Sequence, residues 1–357
     1  ELKGRIGPPM NKTSDAEEKF TSSLAFNLTG AQKRTWEEIR TDLSGNYPMR
    51  RLLQGDVGSG KTLVGALSAL HAHENGWQTA FMCPTEILAE QHQISLSQWF
   101  RSLGLNVELL TGSTKASERK EIISKLRNGE INILVGTHAL FQKKVEFKKL
   151  GLIIIDEQHK FGVNQRKKLS DKAGKDCDVL LMTATPIPRT LTMTIYGDMD
   201  LSIIREKPNI RKPVKTYSKP ENKIDEVLKF IKKEIKLGNQ IFWVCPLIEE
   251  SKKLDHSSAV KKSEYLNKLF PNQVFLLHGK TTTEEKEMIL NKFLKNEFKI
   301  LVSTTIIEVG IDFPNANVII IENANKFGLS QLHQLRGRVG RGSKAVSYTH
   351  LTLPTKA

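Results

Sequence analysis

An apolar strand-like run that stops in a glycine-rich loop and restarts as a helix-like pattern leaves a chain few folds to choose from. Residues 51–67, RLLQGDVGSGKTLVGAL, form such a stretch. The spacing Gly55-x4-Gly60-Lys61-Thr62, with Gly58 between, is a phosphate-binding loop pattern. Glycines let the backbone wrap a triphosphate with its N–H groups turned inward. Lys61 is expected to reach the β- and γ-phosphates, and Thr62 to offer a hydroxyl to Mg²⁺ at the positive end of the following helix.

The rest of the chain repeats the same rhythm. Apolar runs at Arg51–Gln54, Thr79–Cys83, Ile131–Val135, Leu152–Ile155 and Val179–Met182 read as parallel strands buried on both faces. Between them lie amphipathic stretches such as Glu86–Phe100 and Ser117–Arg127. Residues 205–220, REKPNIRKPVKTYSKP, are rich in proline and charge and read as a connection. Alternation then resumes with Ile241–Val244, Val274–Leu277, Ile300–Ser303 and Val318–Ile321. Within it, Thr283–Lys295 reads as a helix, and Thr281 and Thr282 stand three residues before Glu284 and Glu285, a capping-box arrangement. The expected fold class is α/β, two tandem mostly parallel sheets with helices on both faces. The second has no phosphate-binding loop, so the repeat is one of architecture rather than of sequence.

Chemistry-bearing residues fall at strand ends. Asp156 and Glu157 follow the run LIII, at the carboxyl edge where open α/β sheets bind ligands. Asp156 is a candidate Mg²⁺ ligand through water, and Glu157 a candidate base for an attacking water. Thr183 and Thr185 end the next run and could sense a γ-phosphate; alone, Thr-Ala-Thr would be an ordinary turn. QLHQLRGRVGRG brings Arg336, Arg338 and Arg341. Phosphoryl transfer needs positive charge on its transition state, although by itself this stretch would read as a basic surface loop.

With 357 residues the chain has room for two ordinary domains. Its net charge of +15 favours a polyanionic partner, nucleic acid above all. Cys83, Cys177 and Cys245 are far apart and show no metal-ligand spacing, which fits a reducing cytosol. No apolar run approaches a membrane span. The first residue is Glu1 and no signal-peptide pattern follows, so a segment of a longer protein is expected.

Taken in order, these stretches resemble the motifs of helicase superfamily 2, over roughly Phe26 to Gly342. The resemblance narrows to the RecG family of replication-fork helicases. It rests on LTGAQKR (28–34), GDVGSGKT (55–62), PTEILAEQH (84–92), GTHAL (136–140), DEQHKFGVNQR (156–166) and TATPIPRT (183–190). CPLIEES (245–251), LHGK (277–280), TTIIEVGIDFPNA (304–316) and QLHQLRGRVGRG (331–342) continue it. Transcription-repair coupling factor and primosomal helicases share DEQHKFGV with TATPIPRT; LTGAQKR and DEQH favour RecG.

The resemblance implies two RecA-like domains hydrolysing ATP with Mg²⁺ in the cleft between them. It implies that Gln32 reads adenine, that Gly55, Gly58, Gly60, Lys61 and Thr62 cradle the phosphates, and that Thr62 and Asp156 hold the metal. It further implies that Asp312 contacts ribose, that Glu157 is the base, and that Gln334, Arg338 and Arg341 face the triphosphate. DNA phosphates would meet PTEILAEQ, LTGST (110–114), GTHAL, LHGK and the Thr304–Thr305 turn, contacts that carry no base readout. The implied domains are a connecting segment (1–25), an ATP-binding domain (26–204), a linker (205–220), a truncated C-terminal helicase domain (221–346) and a non-family tail (347–357). The implied partner is branched or forked DNA and no membrane, for a monomeric motor of the bacterial cytosol or nucleoid.

This chain departs from the family in three places. Nothing resembles the wedge module with its OB-fold; SYT (347–349) keeps part of the family's next strand, but THLTLPTKA does not match the C-terminal hook; and Pro208-Asn209-Ile210-Arg211 stands where a Pro-Gly-Arg turn is usual. Three alternatives stay open at this level. They are a translocase that displaces a protein such as stalled RNA polymerase, an RNA remodeller, and a nucleotide-switched binding module with little turnover.

Overall fold

The computed structural model describes residues 10–12, 15–56, 58–157, 177–184, 199–206, 215–246, 252–278, 281–304, 313, 315–328, 331–332, 335 and 347–352. The chain divides into two compact units, Glu1–Pro208 and Asn209–Ala357. The first contains α1 (Ala16–Ser23), α2 (Gly30–Leu43), β1 (Arg50–Gly55), α3 (Lys61–Glu74), β2 (Gln78–Met82) and α4 (Glu86–Phe100). It continues with β3 (Val107–Leu110), α5 (Ala116–Asn128), β4 (Ile133–Gly136), β5 (Leu150–Ile155), β6 (Asp178–Thr183) and β7 (Asp200–Ile204). The second contains β8 (Lys215–Pro220), α6 (Ile224–Lys236), β9 (Gln240–Cys245), α7 (Lys252–Leu269) and β10 (Val274–Leu277). It ends with α8 (Thr283–Leu294), β11 (Ile300–Thr304), β12 (Ala316–Glu322) and β13 (Ser347–Thr352).

Both sheets are parallel throughout. The first runs β3-β4-β2-β5-β6-β1-β7 and the second β10-β11-β9-β12-β13-β8. The two-residue period of a strand sends alternate side chains to opposite layers. In the first sheet Leu53, Phe81, Ile154, Leu180 and Met182 join one core with α1 to α4, capped at its end by Phe20 stacked on Phe100. Leu52, Ala80, Met82, Ile153, Ile155 and Leu181 join the other with Ile122 and Leu126 of α5. In the second sheet Ile241, Trp243, Val302 and Ile320 pack with Val227, Ile231, Ala259 and Leu266 of α6 and α7. On the opposite face Phe242, Phe293, Phe298 and Phe313 form an aromatic layer against α8.

The expected apolar runs are strands, with ends moved by one or two residues. Four further strands lie outside those runs: β3, β7 and two from stretches read differently in sequence. Lys215–Pro220, read as the end of the linker, is edge strand β8, and Ser347–Thr352, read as tail apart from the strand remnant SYT, is β13 between β12 and β8. Neither carries an apolar run; pairing with a neighbour of the same sheet, rather than hydrophobic pattern, makes them strands.

Superposing the strand orders pairs β3, β4, β2, β5, β6 and β1 with β10, β11, β9, β12, β13 and β8. Local chemistry repeats too. Gln78, opening β2, donates its buried Nε2–H to the carbonyls of Leu126 (3.0 Å) and Ile131 (2.7 Å). Gln240, opening β9, donates to those of Phe293 (2.7 Å) and Phe298 (2.9 Å). The two helices end alike: Gly129 and Asn296 take positive φ (81° and 61°) and return their N–H to Leu126 O and Phe293 O. The capping box expected at α8 is present on Thr282 and Glu285.

Candidate nucleotide site

β1 delivers the chain to its carboxyl edge at Gly55, and α3 starts six residues later at Lys61. Gly58 and Gly60 hold the loop between them at φ 74° and 93°, in the left-handed region. A Cβ at Gly60 would also meet Nε2 of Gln32, which would have to move and give up its bond to Ser59 O. Lys61 is buried, and its Nζ donates to the carbonyls of Gly55 (2.7 Å) and Asp56 (3.2 Å). The ammonium is thus held inside the loop, at the helix end whose first N–H groups lack intrahelical partners. Thr62 follows at the second position of α3, half-buried.

Gln32 is tied to the same loop. Its Oε1 accepts from Thr29 N (2.9 Å), completing the capping box of α2, and its Nε2 donates to Ser59 O (2.7 Å). Both ends of the amide are therefore engaged within the chain. Glu206, just after β7, accepts from Ala31 N (3.0 Å) and caps the same helix end. Beneath it, Arg51 of β1 bonds Asp42 (2.7 Å) and Ser202 (2.7 Å), which fastens α2 to the sheet.

Asp156 and Glu157 emerge from β5, both buried. Asp156 Oδ2 lies 2.9 Å from His92 Nε2, and Oδ1 accepts from Glu157 N (3.0 Å). Burial alone would raise the Asp156 carboxyl; the hydrogen bond and charge of His92, with the nearby Lys61 ammonium, outweigh it and hold the group below the ordinary carboxylate range. Glu157 sits at φ 50°, a conformation that costs a non-glycine residue about 1–2 kcal/mol. Its Oε2 is 3.5 Å from Ala184 N, which links this turn to the end of β6. An ionised carboxylate and a hydroxyl are hard oxygen donors. Mg²⁺ commonly takes one or two carboxylates and leaves its other positions to phosphate and water. Thr62 and Asp156 fit that need, and among the described residues no larger His/Cys/Asp/Glu cluster gathers.

Two of the stretches expected at DNA lie together. Thr85 caps α4 by accepting from Leu88 N (3.3 Å). Glu86 beside it accepts from Gly112 N (2.7 Å), Ser113 N (3.2 Å) and Ser113 Oγ of the LTGST loop. Thr137 of GTHAL and Thr304 are buried at the ends of β4 and β11.

Family models place these features. A DEAD/DEAH box helicase model matches residues 29–194, and a helicase conserved C-terminal domain model matches 222–343. An ATP-dependent DNA helicase RecG of Thermotoga maritima is 52% identical over 340 residues, covering 95% of this chain and 44% of that protein. Its counterpart in Bacillus subtilis is 54% identical over 326 residues, covering 91% and 48%. A solved structure of RecG bound to a three-way DNA junction superposes with a TM-score of 0.85 at 47% identity, over 98% of this chain and 46% of that one. The chain belongs to the RecG helicase family. It spans about half the length of the curated relatives it matches.

Of the residues a RecG reading singles out, the structure gathers Gln32, Gly55, Gly58, Gly60 and Lys61 in one loop environment, with Thr62 next in the chain. It sets Asp156 within electrostatic reach of Lys61, and Glu157 next to Asp156. Thr185, Asp312, Gln334, Arg336, Arg338 and Arg341 lie outside the described residues. Sequence reading missed His92. Its signal was there: Leu88, His92 and Leu96 recur every four residues on the buried stripe of α4, and a titratable group in that stripe needs a partner.

Proposed function

We propose that this chain is the ATP-hydrolysing motor of a DNA helicase acting on branched DNA. One observation carries the reading: a left-handed glycine loop encloses Lys61, within electrostatic reach of a carboxylate kept ionised at the end of β5. In this reading the loop N–H groups and Lys61 bind the β- and γ-phosphates. Thr62 and Asp156 would hold Mg²⁺, which neutralises phosphate charge when bound. Glu157 orients the attacking water and takes its proton. Arg338 and Arg341, from the second unit, place positive charge on the transferring phosphoryl group, with Gln334 beside them, while Asp312 contacts ribose and Gln32 the adenine edge.

The RecG family membership and the junction-bound relative support branched DNA as the substrate, with fork regression and branch migration as the work done by the full-length protein. The basic excess of +15 suits a partner held through phosphates. We assign the site of action to the bacterial cytosol or nucleoid and the working form to a monomer. The test is steady-state phosphate release with and without forked DNA at two salt concentrations. Stimulation that fades as salt rises is expected; a rate indifferent to DNA would contradict the proposal.

A further inference from the structure

The internal repeat identifies a second, partly buried carboxylate, Glu322. In the first sheet Met82 is paired with Ile155, and Cys83 and Asp156 come next on their strands. In the second, Val244 is paired with Ile321, and Cys245 and Glu322 come next. The residue after each acid is left-handed: Glu157 at φ 50° and Asn323 at φ 46°. Burial raises both thiols, and the adjacent carboxylate raises each further. Each acid is held by the helix that follows the cysteine strand, Asp156 by His92 of α4 and Glu322 by Lys262 of α7 at 2.6 Å. The Lys262–Glu322 pair is only about one-fifth exposed, and Cys245 Sγ also reaches Glu322 (3.6 Å). The Lys262 ammonium lies 5.3 Å from the ring centre of buried Trp243 and 5.7 Å from that of Tyr265.

The equivalence assigns a role. In the first unit the held acid begins the turn that carries Glu157. In the second, the held acid begins the turn at Asn323, followed by the 3₁₀ turn Ala324–Lys326 and by Gly328, whose N–H is taken by Gln331 Oε1 (3.0 Å). Buried Leu335 comes next, three residues before Arg338. We infer that Lys262 is a positioning residue: by locking Glu322 it fixes the root of the segment that carries Gln334, Arg338 and Arg341. This rests on the motor reading, in which those arginines serve phosphoryl transfer. A half-buried ion pair is weak evidence for stability but a good device for holding one geometry.

The test uses the whole chain and steady-state phosphate release. Lys262→Met keeps the apolar stem over Trp243 and removes the charge. It should lower kcat about tenfold, the scale of a small misplacement of a catalytic group, while KM for ATP stays within about twofold. Lys262→Arg should recover most of the loss. In an Arg341→Ala background, Lys262→Met should add little, because it acts through that arginine. If Lys262→Met does not fold, Glu322→Gln breaks the pair from the other side and should give the same split. Unchanged kcat in a folded variant would overturn the inference, as would losses that multiply with Arg341→Ala. No ATP turnover in the wild-type chain would sink the motor reading itself, and this inference with it.

Discussion

Laid strand on strand over the six strands they share, the two units differ in chemistry at two places. Between β1 and α3 stands a glycine loop that closes on Lys61; between β8 and α6, its counterpart, stand Glu221–Lys223 in a short 3₁₀ turn. At the end of β5 an imidazole holds Asp156, and a glutamate occupies the strained turn. At the end of β12 an ammonium holds Glu322, and Asn323, a residue that tolerates positive φ, occupies the turn. The scaffold is shared down to the glutamines that open β2 and β9. A parallel sheet offers ligands the same edge in both units, and in the proposed reading what fills that edge separates a phosphate site from a site of support.

The largest expected effect follows from the loop. Lys61→Ala removes the ammonium enclosed by it and should lower phosphate release by roughly a thousandfold, the scale of losing a preorganised charge at developing negative charge. Near wild-type turnover would erase the distinction between the two loops. Arg341→Ala comes next, with a fall of about a hundredfold in kcat and little change in nucleotide affinity measured by fluorescent-nucleotide titration. A loss confined to affinity would remove the second unit from the chemistry.

The shared scaffold predicts matched stability effects. Gln78→Leu and Gln240→Leu each remove two buried hydrogen bonds, to Leu126 and Ile131 in one unit and to Phe293 and Phe298 in the other, and should each cost about 1–3 kcal/mol in denaturant unfolding. A cost in one unit alone would break the equivalence. The smallest effect is at the two turns. Glu157→Gly should be about 1 kcal/mol more stable than Glu157→Ala, since only glycine takes φ 50° without strain, and both should be inactive. Asn323→Gly should change stability by less than half that and leave turnover intact.

Central strands were legible because burial on both faces makes them continuous apolar runs, as in LIII before Asp156. Four other strands were not: β3 is buried only at its two ends, β7 is buried only at Ser202 and Ile204, and β8 and β13 are polar in sequence. The glycine loop and the paired acids were legible because each is a short local pattern at the end of an apolar strand. Glu206 and Lys262 were not, because each acts through a partner at least 60 residues distant in the chain, a separation that no local pattern records; for His92 the stripe of α4 shows the burial but not the partner. The Glu86 contact with Gly112 and Ser113 was hidden for the same reason.

One measurement bears most directly on the claim that Glu157 drives hydrolysis at a nucleotide held by the first unit. It is the paired reading of ATP affinity and phosphate release in Glu157→Gln, an isosteric change that removes the base and little else. The account predicts binding within about twofold of the wild-type chain with turnover reduced at least a hundredfold. Turnover at the wild-type rate, with ATP bound as tightly, would contradict it.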